Sequence, residues 1–513
     1  MSNVSVKTSV PQPGLPSRVY RPALGLLTDL YQLTMAQGYM DAGEQGTEAV
    51  FNLFFRKHPF KGGYTIASGL EHAVDYLQNL RFDEEDVAYL ETVTGNDGKP
   101  LFRKNFLDYL RDLEFTCDLD AVPEGTVVFP HEPLLRVKGP LIQCQLVETA
   151  LLNLINFQTL IATKAARVVQ AAGDEPVLEF GLRRAQGIDG GLSVARAAFV
   201  GGVAATSNVL AGRLYDIPIK GTHAHSWVMC FDSELEAFER YAEAMPNNCV
   251  FLVDTYDTVE GVKHAIQVGE KLRERGYEMV GIRLDSGDLC YLSQRARELL
   301  DEAGFPDASI VASNSLDEYT ISSLKTQGAR IDTWGVGTRL STAYDQPALG
   351  GVYKLASVRR EDGPWEDRIK LSEQAIKVSN PGLLRVRRYL AEDGKTYAGD
   401  LIYDERLGAD GDVVMIDPMD MTRRKHLAHT LDHVELLEPV LRQGELVEGC
   451  CVVEDSLKDM RARAKEQLSF LHKGIRRFDQ PHQYPVGLEM ALYERKTRMI
   501  LEARGHATHP SKP

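Results

Sequence analysis

The densest grouping of chemically capable residues lies in 179–226, EFGLRRAQGIDGGLSVARAAFVGGVAATSNVLAGRLYDIPIKGTHAHS. Here eight glycines accompany the pair Arg183–Arg184 and the histidines His223 and His225. Glycine loses more backbone freedom on folding than any other residue, so such density implies positive φ or a close backbone approach to a ligand. Backbone N–H groups beside guanidinium groups donate into phosphate oxygens, which suits a polyanionic ligand. A glycine-rich loop with merely solvated arginines is the plainer alternative, and the two Gly-Gly pairs between arginines and histidines weigh against it. In Gly221-Thr222-His223-Ala224-His225-Ser226 an imidazole can act as nucleophile or acid/base if a carboxylate holds one ring nitrogen and frees the other's lone pair. Asp254, at the end of the following strand, is the candidate carboxylate, with an N-cap for the next helix as the competing reading. Extended backbone would place His223 and His225 on one side, which also fits a metal pair, but no further ligands stand at matching spacing.

A second group is Arg283-Leu284-Asp285-Ser286-Gly287-Asp288. An extended strand end puts Arg283 and Asp285 on one side, where the guanidinium can grip an anionic substrate. The acids can then hold Mg²⁺ or stabilise positive charge at carbon. A surface ion pair plus a helix N-cap at Asp288 is the alternative. Gly335-Val336-Gly337-Thr338 is a short phosphate-cradle candidate, and Gly350-Gly351-Val352-Tyr353-Lys354 offers another backbone approach and a cation.

The elements that must position these groups are strand–loop–helix units between 250 and 340. VFLVDTYD, MVGIRLDSGDL and SIVASNS each precede a helical pattern, and IDTWGVGT follows. The strand ends carry Asp254, Arg283 with Asp285, Ser313-Asn314 and Gly335–Thr338. Parallel βα units present such ends on one face of a barrel, although a doubly wound sheet does the same. Upstream, 29–40 has helical spacing and 50–56 reads as a strand. Ser68-Gly-Leu-Glu71 has the form of a capping box opening a helix to about Leu80. Residues 121–138 alternate as short antiparallel strands, and 146–171 form a long helix. Beyond 390 the chain is charged and less patterned.

The 513 residues carry a net charge of −15, with 43% hydrophobic and 26% charged residues, as in a globular chain of two or three domains. The acidity argues against nucleic-acid binding, so any phosphate site must be a local basic pocket. The N-terminus lacks an apolar signal region, and the longest uncharged stretches, 149–163 and 197–212, are too short to cross a bilayer. Seven scattered cysteines suit a reducing cytoplasm, and Cys450-Cys451 has nothing nearby to complete a metal set.

Taken in order, TDLYQLTM (28–35), FRKHPFKGGYTIASGLE (55–71), EFGLRRAQGIDGGLSVARAAFVGG, TSNVLAG, GT-x-AHS, GIRLDSGDL and LGGVYKL resemble nicotinate phosphoribosyltransferase over roughly 24–385. The resemblance implies an α/β fold of type II phosphoribosyltransferase kind, with an irregular α/β-barrel domain packed against a strand-rich α+β domain. The expected division is a flexible leader (1–23), the strand-rich domain (24–145, completed by parts of 350–440), the catalytic barrel (146–349) and a C-terminal extension (441–513) with a disordered end. It further implies transfer of phosphoribosyl from phosphoribosyl pyrophosphate to nicotinate, coupled to ATP hydrolysis, with Mg²⁺ on ligands the sequence leaves unknown. His225 matches the position phosphorylated by ATP, and His223, between motif residues, receives no role. Phe180 and Tyr31 match the aromatics that sandwich the pyridine ring, Tyr31 coming from the partner of a homodimer with shared sites. Thr222 and Arg283 match nicotinate contacts, and Gly337-Thr338 falls where the phosphoribosyl group is contacted. Arg183, Arg184 and Mg²⁺ suit the leaving pyrophosphate, and Asp285 the developing positive charge. Ser207 stands where nicotinamide-using relatives carry an aspartate that would repel a carboxylate, which favours nicotinate. Nicotinamide phosphoribosyltransferase is the nearest alternative reading, and a non-catalytic phosphoribosyl-binding regulator and a metal-dependent barrel hydrolase are the others.

Overall fold

The computed structural model describes residues 23–361 and 363–505. The expected leader, apart from Ala23, and the expected disordered end, 506–513, lie outside the described residues. Helix α1 (Leu30–Asp41) is followed by strands β1 (Glu48–Phe55), β2 (Asp118–Ala121) and β3 (Leu135–Pro140), then by the long helix α2 (Glu148–Ala172). Next come β4 (Val177–Glu179), helix α3 (Gly187–Val200), β5 (Ala205–Thr206), β6 (Val250–Leu252), β7 (Gly281–Leu284), β8 (Ser309–Ala312) and β9 (Thr333–Val336). The remainder supplies β10 (Gly351–Arg359), β11 (Leu384–Leu390), β12 (Tyr397–Asp404), β13 (Val413–Ile416), β14 (Arg424–Leu427), β15 (His433–Glu435), β16 (Glu438–Arg442) and β17 (Val486–Glu489).

The catalytic-type sheet contains only parallel pairs, in the order β5-β4-β9-β8-β7-β6. From β6 to β9 each new strand adds on the same side, and β4 and β5 continue the series. That single winding is barrel order and lacks the reversal of a doubly wound sheet. The strands form a half-barrel open between β5 and β6. Their carboxyl ends share one face, from which the segments starting at Phe180, Ser207, Val253, Asp285, Ser313 and Gly337 emerge. Asp257, Asp288 and Asp317 each accept backbone N–H groups as N-caps of the helices that follow, so each strand stops where a cap begins the next helix.

In the strand-rich sheet β1 lies between β10 and β3, and β2 between β3 and β16, every pair antiparallel. The glycine of β10 that opens this pairing, Gly351, has no room for a Cβ beside Asn156 of α2. Close packing of strand on helix therefore accounts for it, not the ligand approach expected from the Gly350-Gly351 pair. The helix expected from Ser68 runs Leu70–Gln78, but no capping box forms. Glu124, 53 to 56 residues away, takes over the cap, accepting the Gly69 and Glu71 N–H groups (2.7 and 2.9 Å) and the Ser68 hydroxyl (2.9 Å). Arg196 of α3 pairs with that buried carboxylate at 2.7 Å. Burial opposes its ionisation, but Arg196 and the capping N–H groups hold it down at about 2.

The stretch beyond 390 is more ordered than its pattern suggests. Strands β11–β15 and β17 form a six-stranded sheet, with β17 inserted between β12 and β13. The expected boundary at 441 therefore cuts through this sheet. Its helices, Leu457–Ser469 and Met490–Ala503, follow the last strand of one sheet and of the other.

Candidate active site

Arg283, at the end of β7, is the hub of the barrel face. Its Nε donates to Ser313 Oγ (2.8 Å), Nη1 to Thr222 Oγ1 (3.0 Å) and Nη2 to Asp285 Oδ1 (2.9 Å). The Ser313 hydroxyl also donates to Asp285. The guanidinium lies over the Phe180 ring, 5.4 Å from its centroid, a favourable cation–π placement. Ser313 precedes two residues in the left-handed region, Asn314 (φ 88°) and Ser315 (φ 51°), a strained turn of the kind found where a site fixes its geometry.

Phe180 is presented by the turn after β4. Within that turn the buried Glu179 carboxyl accepts the Thr206 hydroxyl (2.6 Å) and the Gly181 N–H, and burial pushes its pKa up. The Cβ positions of Gly335 and Gly337 would meet the Phe180 ring and backbone, at 2.7 and 3.2 Å. Contact with Phe180 thus gives both glycines a steric reason, whatever their backbone binds. Thr338 follows at the start of the short helix Thr338–Ser341. Ser207 donates its N–H to Glu179 O (2.9 Å), which sets it beside the Phe180 turn. Arg183 and Arg184 are exposed on the next turn, Leu182–Arg184, and neither forms an ion pair among the described residues.

The two histidines do not converge. His223 is buried against Phe238, Tyr241 and Phe251, and its Nε2 accepts the Leu252 N–H (3.2 Å). Burial lowers its pKa to about 4, so it is a neutral core residue and no half of a metal pair. His225 opens a short helix and faces outward, with Nδ1 3.1 Å from Thr255 Oγ1 and Nε2 3.9 Å from Asp285 Oδ2. The carboxylate nearest its ring is therefore Asp285, not Asp254. Strand register explains the correction: β6 pairs with β7 through Leu252 and Arg283, which sets Asp254 across from Asp285. Asp254 Oδ2 accordingly accepts the Asp285 N–H (3.1 Å) and the Ser286 hydroxyl (2.5 Å). Asp254 is not the helix cap either, because Asp257 takes that place. Asp288 is a plain N-cap, and the Lys354 ammonium donates to the Tyr353 carbonyl (2.7 Å).

Tyr31 stands apart from this group. It is exposed on α1 and borders a separate hollow of about 360 Å³ with Thr149, Leu152, Phe157 and Leu349. A larger cavity of about 840 Å³ is lined in part by Arg56, Lys57, Lys61 and Lys377, a local basic pocket on an acidic chain. Sequence reasoning assigned no role to Thr255 or Ser286, although both adjoin singled-out aspartates. Ser313 was visible only as a polar strand end.

The family profiles for the N-terminal domain, the central family region and the C-terminal domain of nicotinate phosphoribosyltransferase match residues 26–156, 176–362 and 385–496. The nicotinate phosphoribosyltransferase of Bacillus subtilis (strain 168) is 45% identical over 94% of this chain and 96% of its own length. The chain belongs to the nicotinate phosphoribosyltransferase family. It is thus an enzyme, one that transfers a phosphoribosyl group to nicotinate and so makes nicotinate mononucleotide for NAD biosynthesis. The nicotinate phosphoribosyltransferase of Dictyostelium discoideum is 38% identical over 93% of this chain and 88% of its own. The crystal structure of human nicotinic acid phosphoribosyltransferase superposes with a TM-score of 0.80 at 33% identity, covering 92% of this chain and 99% of that one. A nicotinate-nucleotide pyrophosphorylase from Pyrococcus furiosus shares the fold, with a TM-score of 0.63 at 21% identity. Among the described residues, no helix is long and apolar enough to cross a membrane.

Proposed function

We propose that this enzyme couples the transfer to ATP through His225 and completes each active site with Tyr31 of a second copy. The observation that carries the placement of nicotinate in this reading is the clamped Arg283. Three of its five N–H donors are taken by Ser313, Thr222 and Asp285, which leaves one on each Nη, the fork that matches a carboxylate. Nicotinate held there lies near Phe180, and the Thr222 hydroxyl is within the same contact set. The ring nitrogen attacks C1′ of phosphoribosyl pyrophosphate, the N–C1′ bond forms and the C1′–O bond to pyrophosphate breaks. Arg183 and Arg184, free of ion pairs among the described residues, receive the leaving pyrophosphate, and Gly337-Thr338 the ribose phosphate. Asp285 favours the positive charge developing at C1′, and Asp254 positions it by accepting its backbone N–H.

Asp254 Oδ1 is buried without a hydrogen-bond partner among the described residues, and with Asp285 it fits Mg²⁺, which commonly takes one or two carboxylates and completes its shell with water and substrate phosphates. Bound there, the ion would neutralise charge on the polyphosphates. His225 presents its ring beside Thr255 and Asp285. Its phosphorylation would add negative charge next to the Arg283 cluster and shift substrate affinity. Ser207, uncharged, leaves room for the nicotinate carboxylate.

Tyr31 is exposed and outside the barrel-face cluster of its own chain, so a two-fold partner is the assembly that brings a second aromatic face to the ring. The same domain carries Arg56, Lys57 and Lys61, and such a partner can present these cations to the polyphosphates. The experiment is labelling with γ-³²P-ATP. The parent protein should give an acid-labile phosphoenzyme. His225→Ala should give none and lose ATP turnover while keeping slow ATP-independent transfer. Undiminished phosphohistidine in that variant would overturn the assignment.

A further inference from the structure

Besides its cations Arg56, Lys57 and Lys61, the FRKHPFKGG motif closes over a buried ionic network anchored in α2. Lys164 has no solvent exposure. Its Nζ lies 2.6 Å from Glu318 Oε2 and 2.7 Å from Asp345 Oδ2, and Arg167 Nε bonds the same Glu318 at 2.8 Å. Glu318 opens the helix after the Ser313–Ser315 turn, and Asp345 ends the segment that begins with Thr338. Arg339 joins the two, 3.3 Å from Asp317 and 3.4 Å from Asp345. Above them the Phe60 ring sits 5.0 Å from Lys164 Nζ, and its N–H donates to Gln346 Oε1 (3.0 Å). Phe60 and Lys61 hold left-handed backbone (φ 57° and 51°), and a Cβ on Gly62 would lie 2.9 Å from Arg167 Nη1. The motif is thus shaped to cap these cations.

We propose that Lys164 is a positioning residue for phosphoribosyl transfer. One buried ammonium ties the turn that carries Ser313, and through it Arg283, to the segment that carries Thr338. Removing one partner of a buried pair leaves an uncompensated charge, so the two segments would part rather than stay in register. The inference rests on the reading that Thr338 meets the phosphoribosyl donor.

The test is steady-state kinetics on variants shown by circular dichroism to be folded at the assay temperature. Asp345→Asn, which frees only the Thr338 segment, should raise KM for phosphoribosyl pyrophosphate fivefold or more and leave KM for nicotinate within twofold. Lys164→Met should lower kcat/KM at least tenfold for both substrates, and Lys164→Arg, which retains the charge, should recover most of it. Native kinetics in Asp345→Asn and Lys164→Met alongside lowered melting temperatures would reduce the network to a purely structural role and overturn the proposal. If Lys164→Met does not fold, Asp345→Asn decides alone. Thr338→Val separates the two ideas: an unchanged donor KM there refutes the reading of Thr338, whatever the network variants do.

Discussion

Replacing Arg283 by alanine should cost nicotinate turnover about two orders of magnitude while sparing the fold. The guanidinium has two N–H groups left for a ligand carboxylate, and hydrogen bonds to charged groups contribute about 1.5–3 kcal/mol each. Two at the lower limit give about 3 kcal/mol, or roughly 100-fold at 1.4 kcal/mol per decade. The partners left behind are not stranded: Ser313 still bonds Asp285, and the Asp285 side chain is 31% exposed, so water can replace the lost donor. The assay is kcat/KM for nicotinate, with any nicotinamide turnover and the melting temperature measured in parallel. Nicotinate should lose far more than nicotinamide, because an amide brings no charge to the fork. Arg283→Lys should recover little, since an ammonium can neither fork onto a carboxylate nor stack on Phe180. Equal losses for the two substrates, or a change under about threefold, would refute the assignment and leave Arg283 to the phosphoribosyl group.

Two further outcomes are expected. Mixing Tyr31→Ala chains with His225→Ala chains should restore ATP-coupled transfer once subunits exchange, because one site in each mixed dimer keeps both residues. Verified exchange with no recovery would place Tyr31 in its own chain's chemistry. Stability should also fall on acidification, because burial lowers the pKa of His58 to about 3 and of His131 and His223 to about 4. The unfolded chain takes up these protons first, near pH 6.5, so stability is lost from there down to about pH 4, by roughly 3 kcal/mol for His223. Urea midpoints between pH 8 and 4.5 check this, and a His223→Gln variant with an unchanged slope would contradict it.

The parallel units were legible because their signals are local. Short apolar strands are followed within four or five residues by Asp257, Asp288 or Asp317, each of which caps the next helix. The choice between barrel and doubly wound order was not legible, since both place strand ends on one face, and only the pairing of β4 with β9 decides it. Asp254 shows the same limit within the site. Its place in the sequence suggested service to His225, but pairing of β6 with β7 turned it toward Asp285. Glu124 caps a helix more than fifty residues away, a contact that no local pattern carries. In α2 the apolar run through 149–163 concealed that the next residue, Lys164, is fully buried and ion-paired. Likewise β17 enters the last sheet between strands about seventy and ninety residues upstream, which hid the order beyond 390.

The central claim is tested most directly by product identity. The purified protein is incubated with phosphoribosyl pyrophosphate and Mg²⁺ plus nicotinate, nicotinamide or quinolinate, with and without ATP, and the mononucleotide is identified by mass spectrometry. The account predicts nicotinate mononucleotide from nicotinate, formed faster when ATP is present. A preference for nicotinamide or quinolinate, or a nicotinate rate indifferent to ATP, would contradict it.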